Sequence, residues 1–467
     1  MESVKEKEDV KIVDMSNGKA NGQTKCPKCG ATEITHSAKK GKLVCQFCRN
    51  EFDEEKVENM EGDVSNLEGK TIGAGAKDII ADENDMITLK CTSCGAEVVI
   101  DTQKAAQSRC HWCRNTLSIN EQVPNGAVPD VILPFNVSKE DAQKNIQEFV
   151  NKRKFFAHPK FTQEFTTNNI NGVYFPYYIV DVNASAKLDG YAEIETRKYT
   201  VRVSEDREET RYDADCYRVG REFDIEIDNL TVESNKDKLN YKDSGKTTNI
   251  INAIMPFDIE NSTKWDANYI KGYTSEKRDT DVSDLEKLVE VQSQDIARYK
   301  ANDSLEKYDR GVSWQEEEIN IKGQKWLSSY LPVWLYSYQQ VSGAKKQLHY
   351  VAVNGRTKET MGSVPIYMPK LISVSAFIEL LGLIFALFVD LDGGEWLALL
   401  AGFIYFAVIY SKYRNAGERH TYEKETKAIV NNLKAKDEFH IARKGLSNSR
   451  IQGENGNKVN TKQFDKL

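Results

Sequence analysis

The chain is poor in the residues on which most enzymes rely. Only 6 of its 467 residues are histidine, at 36, 111, 158, 349, 420 and 440. They are scattered, and no hydrolase or kinase signature accompanies them. A phosphate-binding loop is also missing. Gly69-Lys70-Thr71 and Gly245-Lys246-Thr247 imitate the end of one, but the first glycine of G-x-x-x-x-G-K-[ST] would fall at Val64 and Asn240. Gly73-Ala74-Gly75 lacks the third glycine and preceding strand of a dinucleotide fingerprint. Acidic pairs such as Glu208-Glu209 read as solvated surface. The net charge of −7 is small for the length and spread out, so it names no partner. The first 25 residues are charged and contain no apolar run, so no secretory leader is expected. These absences point away from catalysis, and no catalytic residue is assigned.

Against that background the cysteines stand out. Eight of the nine form one pattern written twice: Cys26-x2-Cys29 with Cys45-x2-Cys48, and Cys91-x2-Cys94 with Cys110-x2-Cys113. Each copy reads C-x2-C-x15-C-x2-C, the spacing of a structural zinc ribbon. A C-x2-C turn presents two thiolates to one side of a tetrahedral ion, and a second knuckle returned by a short hairpin closes the other side. Two structural Zn²⁺ ions are expected; disulfides, a rubredoxin-like iron site and a redox C-x-x-C are the alternatives. Four thiolates leave no open position for water or substrate, so such centres hold structure and do not catalyse. His111, between two ligands, reads as a solvent-facing loop residue. Gly30 and Gly95 suit the tight turn after the second ligand, and Asn50 and Asn115 tolerate the same backbone region after the last. Cys216 has no partner and reads as a small core residue, with a reactive thiol as the lesser alternative.

Two apolar runs lie near the other end, at 371–389 and 396–410, separated by Asp390-Leu391-Asp392-Gly393-Gly394-Glu395. The first is long enough to cross a bilayer; the second needs residues 411–413, with Lys412 snorkelling. Lys370 before the pair and Lys412, Arg414 and Arg419 after it put both ends in the cytoplasm by the positive-inside rule. Gly382 with Ala386, and Ala398 with Gly402, offer small faces for close helix packing. A buried hairpin in a soluble core is the alternative. Glu379, near the middle of the first run, favours that alternative, because a central carboxylate costs about 3 kcal/mol on insertion. If the helices span, Glu379 must be protonated or turned toward a partner helix.

The expected architecture is multidomain. Residues 1–22 form a disordered tail, 23–52 the first zinc ribbon, 53–86 an acidic flexible linker and 87–120 the second ribbon. A largely antiparallel α+β cytoplasmic domain covers 128–369, a two-helix transmembrane hairpin 371–413, and a charged cytoplasmic tail 414–467. Within the domain, Ser138 and Asp141 cap a helix with an Ala142, Ile146, Phe149, Val150 stripe. Ser283 and Glu286 are expected to open a second helix. Gly172 to Asp181 reads as a buried strand, and alternation near 199–203 and 223–227 as half-exposed ones. Leu133-Pro134-Phe135 recurs as Met255-Pro256-Phe257, and a proline-bearing aromatic strand occurs near 175 and again near 332, as in a worn duplication. Proline within a strand implies an edge or a bulge.

The second ribbon, Leu133-Pro134-Phe135, Gly172-Val173-Tyr174-Phe175-Pro176-Tyr177, and Leu331-Pro332-Val333-Trp334-Leu335-Tyr336 followed by Val353-Asn354-Gly355-Arg356-Thr357 occur in a familiar order. Over roughly residues 88–415 the chain resembles bacterial membrane proteins described as TFIIB-type zinc ribbon-containing. The first ribbon departs from the simplest members. The resemblance implies work beside SPFH-domain membrane scaffolds and envelope-stress proteins and carries over no catalytic residue. The function expected is a membrane-anchored zinc-ribbon adaptor that gathers protein partners at the inner face of the cell membrane. The competing reading is a membrane-tethered nucleic-acid binder, for which the basic residues of the first ribbon speak. The −2 charge of each four-thiolate zinc centre and the acidic segment after it speak against that reading.

Overall fold

A computed structural model describes residues 10–13, 24–53, 56, 63–74, 86–90, 97–101, 122–123, 129–204, 207–234, 253–276, 278, 280–342, 345–388, 400–414 and 420–447. In chain order the strands begin β1 Val10–Val13, β2 Ile34–Ser37, β3 Lys42–Cys45, β4 Glu51–Phe52, β5 Gly69–Gly73, β6 Met86–Lys90, β7 Glu97–Asp101, β8 Gln122–Val123 and β9 Val131–Ile132. They continue with β10 Asn171–Ser204, β11 Arg207–Glu233, β12 Thr263–Lys264, β13 Thr274–Glu276, β14 Val312–Ser342, β15 Lys345–Asn354, β16 Thr360–Gly362 and β17 Lys427–Ser447. The helices used below are α1 Lys139–Asn151, α2 Pro159–Glu164, α3 Val282–Ala301, α4 Met368–Phe388 and α5 Ala401–Arg414. The fold is α+β around one large sheet; β2, β3 and β4 form a small separate one.

Three very long antiparallel strands are the spine: β10 pairs with β11 on one side and β14 on the other. The first part of β10 is almost uniformly apolar and is buried on both faces from Gly172 to Asn183. Further along, buried and exposed residues alternate, as expected where one face meets water. On one face α3 lays Leu285, Val289 and Ile296 across Val180, Val182, Phe223, Ile225 and Trp326.

The two strand prolines occupy equivalent and unexpected places. Neither lies on an outer edge or a bulge. Before Pro176, β10 pairs in parallel with β13 at Val173 and Tyr174; after it, pairing with β11 begins at Tyr177. Before Pro332, β14 pairs in parallel with β9 at Ser329 and Tyr330; after it, pairing with β15 begins at Val333. Each proline sits where one flanking strand has ended and the next has not begun, so its missing N–H leaves no ladder bond unmade. The order strand, helix, long strand, returning strand thus occurs twice, as β9-α1-β10-β11 and β13-α3-β14-β15, with each short strand paired to the other unit's long one. This is structural ground for the suspected duplication.

Helix α1 starts where its cap indicates. The Ser138 side chain accepts from the Asp141 N–H at 3.1 Å, and Ala142, Ile146, Phe149 and Val150 are buried. The second capping box is corrected: α3 begins two residues earlier, after Asp281, so Ser283 lies inside the first turn. Glu286 pairs with Lys70 instead of capping.

Three segments expected to be unstructured contribute strands. Val10–Val13, in the presumed disordered tail, pairs in parallel with β5. Gly69–Gly73, in the presumed linker, pairs in parallel with β14, and Gly323 lets it approach because a Cβ there would lie 2.3 Å from the Leu67 carbonyl. The imitation phosphate loop Gly69-Lys70-Thr71 is therefore a strand. Lys427–Ser447, in the presumed charged tail, runs antiparallel beside β11. Arg221, buried in β11, donates to Asp437 of β17 at 2.6 Å, and Arg443 reaches the buried Glu193 at 2.7 Å. Backbone pairing and these ion pairs order a segment whose composition suggests solvent.

Candidate metal centre and helical pair

Cys26, Cys29, Cys45 and Cys48 come together, all four Sγ atoms lying within 4.8 Å of one another. Cys26 and Cys48 are 3.5 Å apart, and Cys29 and Cys45 are 3.7 Å apart. A tetrahedron with Zn–S near 2.3 Å has edges of about 3.8 Å, so the donor set fits Zn²⁺. The two knuckles are near copies. The Cys26 N–H donates to the Ala31 carbonyl and the Gly30 N–H to that of Cys26. In the second, Cys45 N–H donates to Asn50 and Arg49 N–H to Cys45. Gly30 has φ 74° as expected, but its counterpart is Arg49 at φ 60°, not Asn50. The left-handed residue is the one directly after the second ligand in each knuckle, and Asn50 supplies only a carbonyl.

The knuckle backbones favour thiolates. Burial opposes the Cys26 thiolate, yet the N–H groups of Cys29 and Lys28 and the neighbouring thiols bring its pKa down to about 6. Cys45 is lowered chiefly by the N–H of Cys48. Cys29 receives the Ala31 N–H, but the thiols crowded around it hold it up at about 12. A dication at the centre would relieve that crowding, which suits a metal better than redox chemistry. Cys91, Cys94, Cys110, Cys113 and His111 lie outside the described residues, as do Gly95 and Asn115. The flanking strands β6 and β7 pair with each other, and β7 joins the large sheet through β13. Cys216 is buried in β11, and burial together with Glu193 raises its thiol to about 12, leaving it inert.

The first cysteine module is not a free-standing domain. Cys26, Ile34, Leu43 and Cys45 belong to the same buried cluster as Phe135, Ile146, Tyr174 and Trp334. The Thr24 N–H donates to Asp266 at 2.8 Å, and Asn268 donates back to the Thr24 carbonyl at 3.1 Å. His36 packs on Tyr269 with ring centroids 5.2 Å apart, buried, and neither ring nitrogen has a hydrogen-bond partner. Burial, then the charge of Arg356, lowers its pKa to about 4.

At the other end, α4 and α5 pack side by side. A Cβ on Gly402 would lie 2.3 Å from the Ser375 carbonyl, so glycine is required for the approach. The α4 side of that contact is Ser375 and Glu379, with Gly402 the small residue that serves. The Gly402 N–H donates to Glu379 at 2.7 Å. This is a first-turn N–H with no partner inside its own helix, so the carboxylate caps α5. One helix among the described residues, over Met368–Ala386, is long and apolar enough to cross a membrane, and only 11% of it is buried. Residues 389–399, which include the expected acidic connection and the start of the second apolar run with Ala398, lie outside the described residues. Ile372, Phe377, Leu380, Leu381, Phe403 and Val408 are exposed.

No family model matches the chain, and no curated protein or solved structure matches it. The site is read from its own geometry.

Two groups of residues have roles that the sequence does not announce. Asn354 is fully buried; its side chain donates to the carbonyls of Ile254 and Pro256 and accepts from the N–H groups of Arg356 and Thr357. Arg356 in turn bonds Asp258 and the Pro134 carbonyl. The Asn-Gly-Arg-Thr segment thus ties together the two proline-phenylalanine segments, so it is a structural clasp. The other group is Arg153 and Tyr413. Arg153 donates to the carbonyls of Phe149 and Lys412, and the Tyr413 hydroxyl accepts from the Phe156 N–H at 3.1 Å. Two cations followed by two aromatics, Arg153-Lys154-Phe155-Phe156, are the available signal.

Proposed function

We propose that this protein is a membrane-anchored adaptor, with α4 and α5 forming a two-pass hairpin whose ends, with the α+β body, are cytoplasmic. The observation that carries this reading is the exposed apolar length of α4, joined at its start to a polar folded body. Supporting it, the start of α4 and the end of α5 meet the same part of the body: Leu371 and Tyr413 are both buried there, and the Val364 N–H donates to the Tyr413 carbonyl. A hairpin crossing and returning needs this arrangement. The cysteine centre is proposed to bind zinc, with a second ion at Cys91, Cys94, Cys110 and Cys113. A closed four-thiolate centre supports recognition over chemistry. Phe47, 81% exposed on the second knuckle, is the proposed contact for a protein partner, of which an SPFH-type scaffold or an envelope-stress protein is the class to seek.

The test joins topology to binding. The protein should resist carbonate extraction. A cysteine at Gly393 should react with an impermeant thiol reagent in intact cells, and one at Ser16 only after permeabilisation; the opposite pattern rejects the topology. Metal analysis under reducing conditions should give two zinc ions per chain, and one would restrict zinc to the first set. Phe47→Ala should lower recovery of crosslinked protein partners from solubilised membranes, and unchanged recovery would move the contact off this knuckle.

A further inference from the structure

The segment between α1 and α2 is bound to both helix ends at once. Arg153 holds the Lys412 carbonyl at 3.3 Å, Tyr413 holds the Phe156 N–H, the Tyr367 N–H donates to the Phe156 carbonyl at 2.8 Å, and Lys370 donates to the Phe155 carbonyl at 2.7 Å. Its outer edge is therefore fixed at the level where α4 starts and α5 stops. That edge has an unusual composition. Phe155 is 62% exposed, and the Lys370 ammonium lies 3.8 Å from its ring centroid. Lys152, Lys154 and Lys412 are exposed beside it. Among the described residues none of these three pairs with a carboxylate. No acidic residue occurs between Glu148 and Glu164.

An exposed aromatic flanked by cations that pair with no carboxylate is well suited to a bilayer interface. Aromatic rings settle at headgroup depth, and each lysine near an anionic leaflet contributes roughly a fivefold gain in partitioning. We propose that Lys152, Lys154 and Phe155, with Lys370 and Lys412, form a membrane-surface edge that binds anionic phospholipid headgroups and seats the body against the leaflet. This rests on the membrane reading above. The charge selects anionic lipid over neutral lipid, and the rigid attachment of the edge to both helix ends selects lipid over a protein partner.

The full chain would be reconstituted in phosphatidylcholine vesicles and in vesicles of which about a third is phosphatidylglycerol. A benzoylphenylalanine photocrosslinker would replace Phe155, or, as control, Val203 at the far end of β10. Position 155 should yield lipid adducts that increase with phosphatidylglycerol, and position 203 should yield none. Lys152→Glu with Lys154→Glu should reduce the adducts at least about threefold in the anionic vesicles, with carbonate resistance unchanged. Adducts indifferent to both lipid charge and lysine reversal overturn the proposal, as do adducts to protein in place of lipid. Loss of the protein on carbonate extraction marks a different failure, that of the anchor itself.

Discussion

The cysteine module and the helical pair join the same aromatic cluster, yet they are attached by different chemistry. The module offers Cys26, Ile34 and Leu43 to the core, together with a buried histidine that has no hydrogen-bond partner. Its strands are four residues long or shorter, so the proposed metal would be needed to fix its shape. The end of α5 is instead held by hydrogen bonds, from Arg153 to the Lys412 carbonyl and from the Phe156 N–H to Tyr413. If the four cysteines hold the proposed ion, the first attachment is conditional on that ion and on pH. The other is built from ordinary hydrogen bonds and depends on neither.

Removing the metal should produce the largest difference. Small zinc modules owe on the order of 10 kcal/mol to their ion. Cys45→Ser should therefore abolish hydrogen-exchange protection across residues 24–52, and also weaken it at 263–270, where the module docks. Protection of α4 and α5 should remain. If the dock stays protected, the module and the body are independent after all.

Acid should come next. The fold holds His36 neutral, with a pKa near 4 against an ordinary 6.5. The unfolded chain takes up its proton first, so stability is full above about pH 6.5 and declines as pH falls toward 4. The loss is on the order of 3 kcal/mol. Stability of the module, followed by exchange at the same segments, should decline more steeply with acid in the native chain than in His36→Phe, because protonation of the thiolate ligands is common to both. The same acid dependence in both would locate the proton elsewhere.

Smaller effects belong to the helix side. Tyr413→Phe leaves the Phe156 N–H unpaired and should cost about 1–2 kcal/mol, with no change in metal content. Glu379→Gln keeps an acceptor for Gly402 and should be almost neutral. Glu379→Leu should loosen the start of α5 by about 1 kcal/mol, measured as faster exchange at 401–404. Equal behaviour of the two Glu379 variants would remove the cap from the account.

How much was legible beforehand divides along a physical line. The four-cysteine spacing, the Ser138 cap with its apolar stripe, the buried Gly172–Asp181 strand and the apolar run of α4 are all written in neighbouring residues. Ligand geometry, capping and burial periodicity act over a turn or a pleat, so consecutive side chains carry them. Asparagine tolerates a positive φ, which makes Asn50 the expected left-handed residue, yet Arg49 takes that place. The knuckle's own hydrogen bonds, closed around the last ligand, outweigh that preference.

What the tertiary structure decided involves groups that every residue shares. The strands at Val10–Val13, Gly69–Gly73 and Lys427–Ser447 exist because an established strand presents unpaired N–H and carbonyl groups beside them, and no local composition announces that. The prolines at 176 and 332 are harmless because two separate neighbours each stop short at them. His36 becomes a buried, neutral imidazole only because Tyr269 and Arg356, more than two hundred residues away in the chain, close over it. The residues specify what each segment can do by itself. Which backbone edge it meets, and what is thereby cut off from water, is decided when distant parts of the chain pack together.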